Sequence, residues 1–235
     1  MKLLPFCIAV FMVLNTQSQT STGIMDDFKA LTMHNLNVNT STITTFSNSK
    51  VKGSQYLFDA WTMGSVTTID NNVYSKKYLF NLDKLTQNLY VKYTEQPDMI
   101  IILDKENIKN FSIGNQNYIN AAPIDPKNKN VFYQVLVRDS SKLSLFKYTK
   151  TKFVKSDPTN IMNVQTGNFS DEYVDNPTYY IFYPNGELKK INLSESNIRK
   201  VLKDKSEKID SFFNISPNRE MDESLLISLV DYINL

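Results

Sequence analysis

The period of the apolar residues changes once along this chain, near Ser194, and that change sets the fold class. Before it, segments rich in aromatic and β-branched residues recur at 56–63, 65–69 and 73–82, the composition that suits a pleated, half-buried surface. Asn71-Asn72 lies between the last two and suits a tight hairpin, because Asn tolerates positive φ. Leu89, Val91 and Tyr93 alternate with Tyr90, Lys92 and Thr94, the pattern of a strand with one covered face. Residues 99–103 are continuously apolar, which predicts a central strand covered on both faces. A short strand is expected at 108–113, then a loop holding Pro123 and Pro126. Strands resume at 131–138 and 143–154 across Asp139-Ser140-Ser141. Residues 156–177 carry Pro158, Gly167 and Pro177 and are expected to be irregular. A last hairpin joins 179–183 to 188–193 across Pro184-Asn185-Gly186-Glu187, where Asn-Gly signals a type I′ turn.

After Ser194 the period becomes helical. Ile198, Val201, Leu202, Ile209, Phe212 and Phe213 form one stripe among charged residues. Ser194 suits an N-cap, and Ser216-Pro217 breaks the helix. Leu225, Leu226, Leu229, Val230 and Ile233 make a second helix, with Asp222 as its cap. Two such helices must bury their stripes on each other or on the sheet. The expectation is an α+β protein. It is mainly an antiparallel β meander, a curled sheet or open barrel, with two C-terminal amphipathic helices packed on it.

The first residues address the chain to export. Lys2 precedes an apolar run from Leu3 to Leu14, shorter than the roughly 20 residues of a spanning helix. Thr16 and Ser18 suit the −3 and −1 pockets of a signal peptidase, which would leave Gln19 as the new N-terminus. The domains are therefore read as 1–18, a signal peptide; 19–52, a polar segment; 53–193, the β domain; and 194–235, the helical pair. Within the polar segment, a brief helix is expected around Ile24 to Met33 and a strand at 38–46. Cleavage removes Cys7, the one cysteine, so the mature chain holds neither a disulfide nor a thiolate. Losing Lys2 reduces 26 basic residues to 25 against 24 acidic ones, a net charge of +1. Nothing there calls for a polyanionic partner, and no later stretch is long enough to span a bilayer.

Most catalytic constellations lack parts. One histidine, His34, excludes multi-histidine zinc motifs, and six scattered glycines exclude dinucleotide and P-loop fingerprints. A serine triad would have to use His34, and a solvated surface histidine accounts for it better. Carboxylates remain at Asp26-Asp27 and at Asp171, Glu172 and Asp175. They could serve a hydrolase or hold Ca²⁺, but acidic loop residues are commonly just solvated. Lys142, Lys147, Lys150, Lys152 and Lys155 interleave with Phe146, Tyr148 and Phe153. Such a stripe can bind single-stranded nucleic acid, or the lysines can guard an edge strand against aggregation. The edge reading is preferred, with Phe146, Tyr148, Lys150 and Lys152 on one face. No catalytic, cofactor or metal residue is assigned.

Gly53-Ser54-Gln55-Tyr56-Leu57-Phe58-Asp59-Ala60-Trp61 resembles a segment of an uncharacterised family of small exported proteins of bacteroidete-type Gram-negative bacteria. There GS-x-YLF-x-x-W follows a short polar N-terminal region. The Gln19 start and the ending near Asp231-Tyr232-Ile233-Asn234 fit the same likeness, which covers most of the mature chain. The resemblance implies an exported compartment and a fold type, and no activity. Tyr56, Phe58 and Trp61 cannot share one face of a regular strand, so a bulge or a second packing surface is expected.

The functional expectation is a non-enzymatic envelope protein, periplasmic or extracellular, with outer-membrane association left open. Its partner would be an envelope protein. The alternatives are carriage of an apolar small molecule in an open barrel and a small carboxylate-dependent hydrolase; nucleic acid is not expected. Mass spectrometry of the protein recovered from its native envelope fraction should find Gln19 at the N-terminus. A product retaining residues 1–18 would overturn the signal-peptide reading.

Overall fold

The computed structural model describes residues 51–161, 164–168, 170–215 and 219–235. The expected signal peptide, the helix and strand within 19–50, Asp26-Asp27 and His34 lie outside the described residues. Ten strands form one antiparallel sheet: β1 (Thr62–Thr68), β2 (Val73–Asp83), β3 (Asn88–Tyr93), β4 (Gln96–Ile102), β5 (Ile108–Ile113), β6 (Gln116–Asn120), β7 (Phe132–Val137), β8 (Ser144–Val154), β11 (Glu172–Phe182) and β12 (Leu188–Ile191). Their order is β12-β11-β8-β7-β6-β5-β1-β2-β3-β4. Between β8 and β11 the chain makes a separate hairpin of β9 (Asp157–Ile161) and β10 (Val164–Asn168). Three helices follow: α1 (Glu195–Val201), α2 (Ser206–Ile215) and α3 (Glu223–Asn234).

The sheet is open but strongly curled. Six strand spacings separate β2 from β11, about 29 Å if the sheet were flat. Yet the Lys84 ammonium, just past β2, lies 2.6 Å from the Asp175 carboxylate on β11. A strap at 51–61 closes the same gap. Lys52 donates its N–H to the Asp171 carbonyl and accepts from the Tyr173 N–H, both at 2.9 Å. Gly53 beside it has φ +73°, and a Cβ there would stand 2.7 Å from the Tyr173 carbonyl oxygen, so only glycine fits this crossing.

Both halves of the concave face are apolar. Val66, Phe80, Leu89, Val91, Ile108 and Phe111 belong to a core under β1–β6. Leu145, Ile181 and Ile191 belong to another, covered by Ile198, Leu202, Ile209, Leu226 and Leu229 of the helical region. On the opposite face the 121–131 loop covers Tyr133, whose hydroxyl donates to Asp125 at 2.6 Å and whose ring stacks on Tyr180 at 5.1 Å.

Several local expectations hold. Asn71 has φ 64° at the β1–β2 turn. Leu89, Val91 and Tyr93 are buried while their neighbours are not. Ser194 accepts from the Asn197 N–H, and Asp222 accepts from the Leu225 N–H at 2.8 Å.

Others are corrected. The predicted central strand at 99–103 belongs to β4, which ends the sheet, and Ile102 is 41% exposed. Its apolar run reports one packed face, with Ile101 and Leu103 on the core, and not two. The expected loop after β5 contains β6, whose Tyr118 and Asn120 are buried. Residues 156–177 are not simply irregular: they hold β9, β10 and the first half of β11, paired residue for residue with β8. Pro177 lies beyond the reach of β12, where β11 has a neighbour on one side only and a missing N–H is tolerated.

The 56–63 segment is largely the strap, with β1 starting at Thr62. Gln55 and Leu57 bond the Lys84 and Leu82 backbone in a short antiparallel bridge, and buried Asn81 carries the attachment on from there, its side chain bonding the Phe58 N–H and C=O at 3.2 and 2.7 Å. The last hairpin turns through three residues. Tyr183 donates to Glu187 O and Gly186 to Tyr183 O, with positive φ at Gly186 and not at Asn185. That is a type I turn followed by a left-handed glycine, not type I′. The first predicted helix is split at Leu202, which leaves the α-region with φ −102° and ψ 34°, so the helical pair becomes three helices.

Nine side chains between Ile198 and Ile233 are buried beneath the sheet. Each contributes about 1.5–3 kcal/mol, against a total stability of about 5–15 kcal/mol. Truncation after Leu193 should therefore give an insoluble product or one without a cooperative melt. A soluble fragment melting at the full-length temperature would show the helices to be an appendage.

Candidate functional site

Between the two apolar cores the concave face carries a polar seam, and a cleft of about 300 Å³ opens along it. The registers explain the alignment. Tyr118 of β6 pairs with Gln134 of β7, Gln134 with Lys147 of β8, and Lys147 with Tyr179 of β11, so these side chains cross one face in a row. Gln116 and Thr149, two positions along their strands from Tyr118 and Lys147, share that face. The curl brings Leu57, Leu82, Lys84 and Gln87 across as the opposite wall, and Glu223 enters from α3.

Each charged group in the cleft has an opposite partner. Lys84, only 12% exposed, pairs with Asp175, which also accepts from the Thr151 hydroxyl at 2.5 Å. Lys147 pairs with Glu223 at 2.8 Å, and Glu223 accepts from the Tyr179 hydroxyl at 2.9 Å. Glu223 is the first residue of α3, where the helix N-terminus also favours a carboxylate. Burial, and then the Glu223 charge, push the Tyr118 phenol well above its ordinary value. Burial also raises Tyr179, with its hydrogen bond to Glu223 and the charges of Glu223 and Asp222 adding to it. Both phenols are therefore neutral hydrogen-bonding groups at working pH.

Gln87 is buried and fully used. Its Nε2 donates to the Lys84 and Thr149 carbonyls, and its Oε1 accepts from the Phe132 N–H. Among the described residues Gln116 uses only its oxygen, which accepts from the Tyr118 hydroxyl at 2.6 Å. Gln134 is half-buried and its carboxamide makes no hydrogen bond among the described residues.

The carboxylates singled out by sequence do not converge. Asp171 accepts from the Ser156 N–H, Glu172 lies 3.9 Å from Lys52, and Asp175 alone lines the cleft. No cluster of three or more metal-ligating side chains occurs among the described residues. The lysine stripe is divided as well. Lys147 points into the cleft, whereas Lys150, Lys152 and Lys155 are exposed. The edge-strand reading is corrected, since β8 lies between β7 and β11; beyond Lys147, however, its ladder continues with β11 alone. Phe146 and Tyr148 face the opposite side, around Tyr133, and Tyr148 packs there only half-buried.

In the strap, Leu57 and Phe58 pack on the core, Tyr56 meets Tyr90 edge-on at 6.2 Å, and Trp61 lies under the Lys92 ammonium at 5.1 Å. The second packing surface expected for this segment is thus present. Gln116, Gln134 and Glu223 were missed by sequence reasoning. For Gln134 and Glu223 the only signal is a polar residue on the inward face of an otherwise apolar strand or helix start, and Gln116, in the largely polar strand Gln116–Asn120, has none. No helix among the described residues is long and apolar enough to cross a membrane. No family model, curated protein or solved structure matches the chain.

The Lys147–Glu223 pair ties α3 to the middle of the sheet. A double-mutant cycle with Lys147→Met and Glu223→Gln, read by urea denaturation, should give a coupling of about 0.5–1 kcal/mol. Zero coupling would mean that the pair does not hold the cleft wall in place.

Proposed function

We propose that this protein is a non-enzymatic, exported cell-envelope protein that binds a component of the envelope in the concave cleft. The observation that carries this reading is the state of the cleft's polar groups. Both carboxylates are committed to lysine and hydroxyl donors, and both phenols are held neutral. Among the described residues, the groups left over are the Gln134 carboxamide, the Gln116 amide nitrogen and the Thr149 hydroxyl. Uncommitted carboxamides recognise ligands and do not attack them. The leader-like first 18 residues and the likeness of 53–61 to exported proteins support the compartment.

The hydrolase alternative draws little support, because Asp171, Glu172 and Asp175 serve three different partners. Apolar carriage needs a chamber with mostly apolar walls. This cleft has the necessary volume, but its lining is chiefly Lys, Gln, Asp and Glu.

As a test, wild type and the Gln116→Leu/Gln134→Leu double variant serve as bait on solubilised native envelope, with proteins and glycans both analysed. A component retained by wild type and reduced about tenfold by the double variant is expected. Equal retention by both baits would place the binding surface outside the cleft.

A further inference from the structure

We propose that the cleft takes a neutral, hydroxyl-rich ligand of mono- to disaccharide size, an inference that rests on the cleft being the binding site. Charge comes first. Lys84 and Lys147 are balanced by Asp175 and Glu223 in direct pairs. An anionic or cationic ligand would have to break a pair and leave its partner partly desolvated, whereas a neutral one leaves both intact.

Hydrogen-bond inventory comes second. Gln134 offers a free donor and a free acceptor, and Gln116 a free donor, to the same space. A hydroxyl group both donates and accepts, so adjacent hydroxyls can satisfy a carboxamide in its own plane. Half-buried Leu57 supplies a small apolar contact beside these groups, while Leu82 and Phe132 are only 3% and 2% exposed. Size agrees: about 300 Å³ stands at the lower end of small-molecule sites.

An extended peptide fits less well. Peptides gain affinity by adding a strand to a sheet edge, and at Tyr118, Gln134 and Lys147 the strands have neighbours on both sides, although Gln116 and Thr149 are paired on one side only. Trp61, the residue best suited to stack on a sugar, is engaged under Lys92 outside the cleft. Binding therefore relies on the carboxamides, and their loss should be conspicuous.

The experiment is an NMR titration of the full chain, following the side-chain amide signals of Gln116 and Gln134. The neutral probes are maltose and N-acetylglucosamine, and the contrast probe is zwitterionic triglycine. Saturable shifts of those two amides with a sugar are expected, together with binding weakened about tenfold in Gln134→Leu at an unchanged melting temperature. Gln116→Leu serves in its place if Gln134→Leu does not fold. Saturable shifts with triglycine and none with either sugar would overturn the ligand class and leave the cleft as the binding site. No shift of either amide with any probe would overturn both.

Discussion

The curl that forms the cleft is closed by the crossing of Lys52 and Gly53 over the backbone of β11. A long antiparallel sheet twists and coils by itself, but twist alone does not decide which residues meet across the curl. The Lys52 N–H donating to the Asp171 carbonyl and the Lys52 carbonyl accepting from the Tyr173 N–H set that register, and the missing side chain at Gly53 lets the backbones approach. The Lys84–Asp175 pair then joins the same two walls a short distance away. The strap is in turn held to β2 by Asn81, a fully buried amide whose polar atoms bond the main chain at Phe58 and Leu82. Burying an amide costs little only when its polar atoms are satisfied, so this residue stabilises the strap in one position.

The curl leaves two apolar cores with a polar strip between them, and the strip follows from the registers. Tyr118, Gln134, Lys147 and Tyr179 lie side by side because each strand contributes one inward position to the same row. A continuous apolar face would have collapsed the cleft, since nothing would keep the two walls apart. Ion pairs of this kind add modest stability, because desolvation offsets much of their attraction. Their larger consequence is geometric. Lys147 and Glu223 seat the start of α3 at the cleft's end, while the apolar face of α3 rests on the neighbouring core.

Legibility followed the range of the interactions. The β3 alternation, the Asn71 turn and the caps at Ser194 and Asp222 are set by neighbours a few residues away, and they were readable. The β4 position was misread because an apolar run such as Ile100, Ile101 and Ile102 looks the same at a sheet's edge as at its centre. The first half of β11 was misread because its polar residues lie where the ladder has a neighbour on one side only, so no apolar period marks it. Among the cleft residues, only Lys147 and Asp175 stood out in sequence, each within a cluster that the structure divides.

The sequence by itself determined some local conformations: the β3 alternation, the Asn71 turn and the helix starts at Ser194 and Asp222. Those depend on side-chain size, branching and hydrogen bonding within one turn or one strand. Only the tertiary structure decided which strands lie at the edges, how the sheet curls and which polar groups share the cleft. Lys84 and Asp175 are 91 residues apart in the chain, and their contact depends on five intervening strands taking one order and one register. Pairing of that kind has no local signature, because a strand's sequence specifies which face is apolar but not which neighbour it takes.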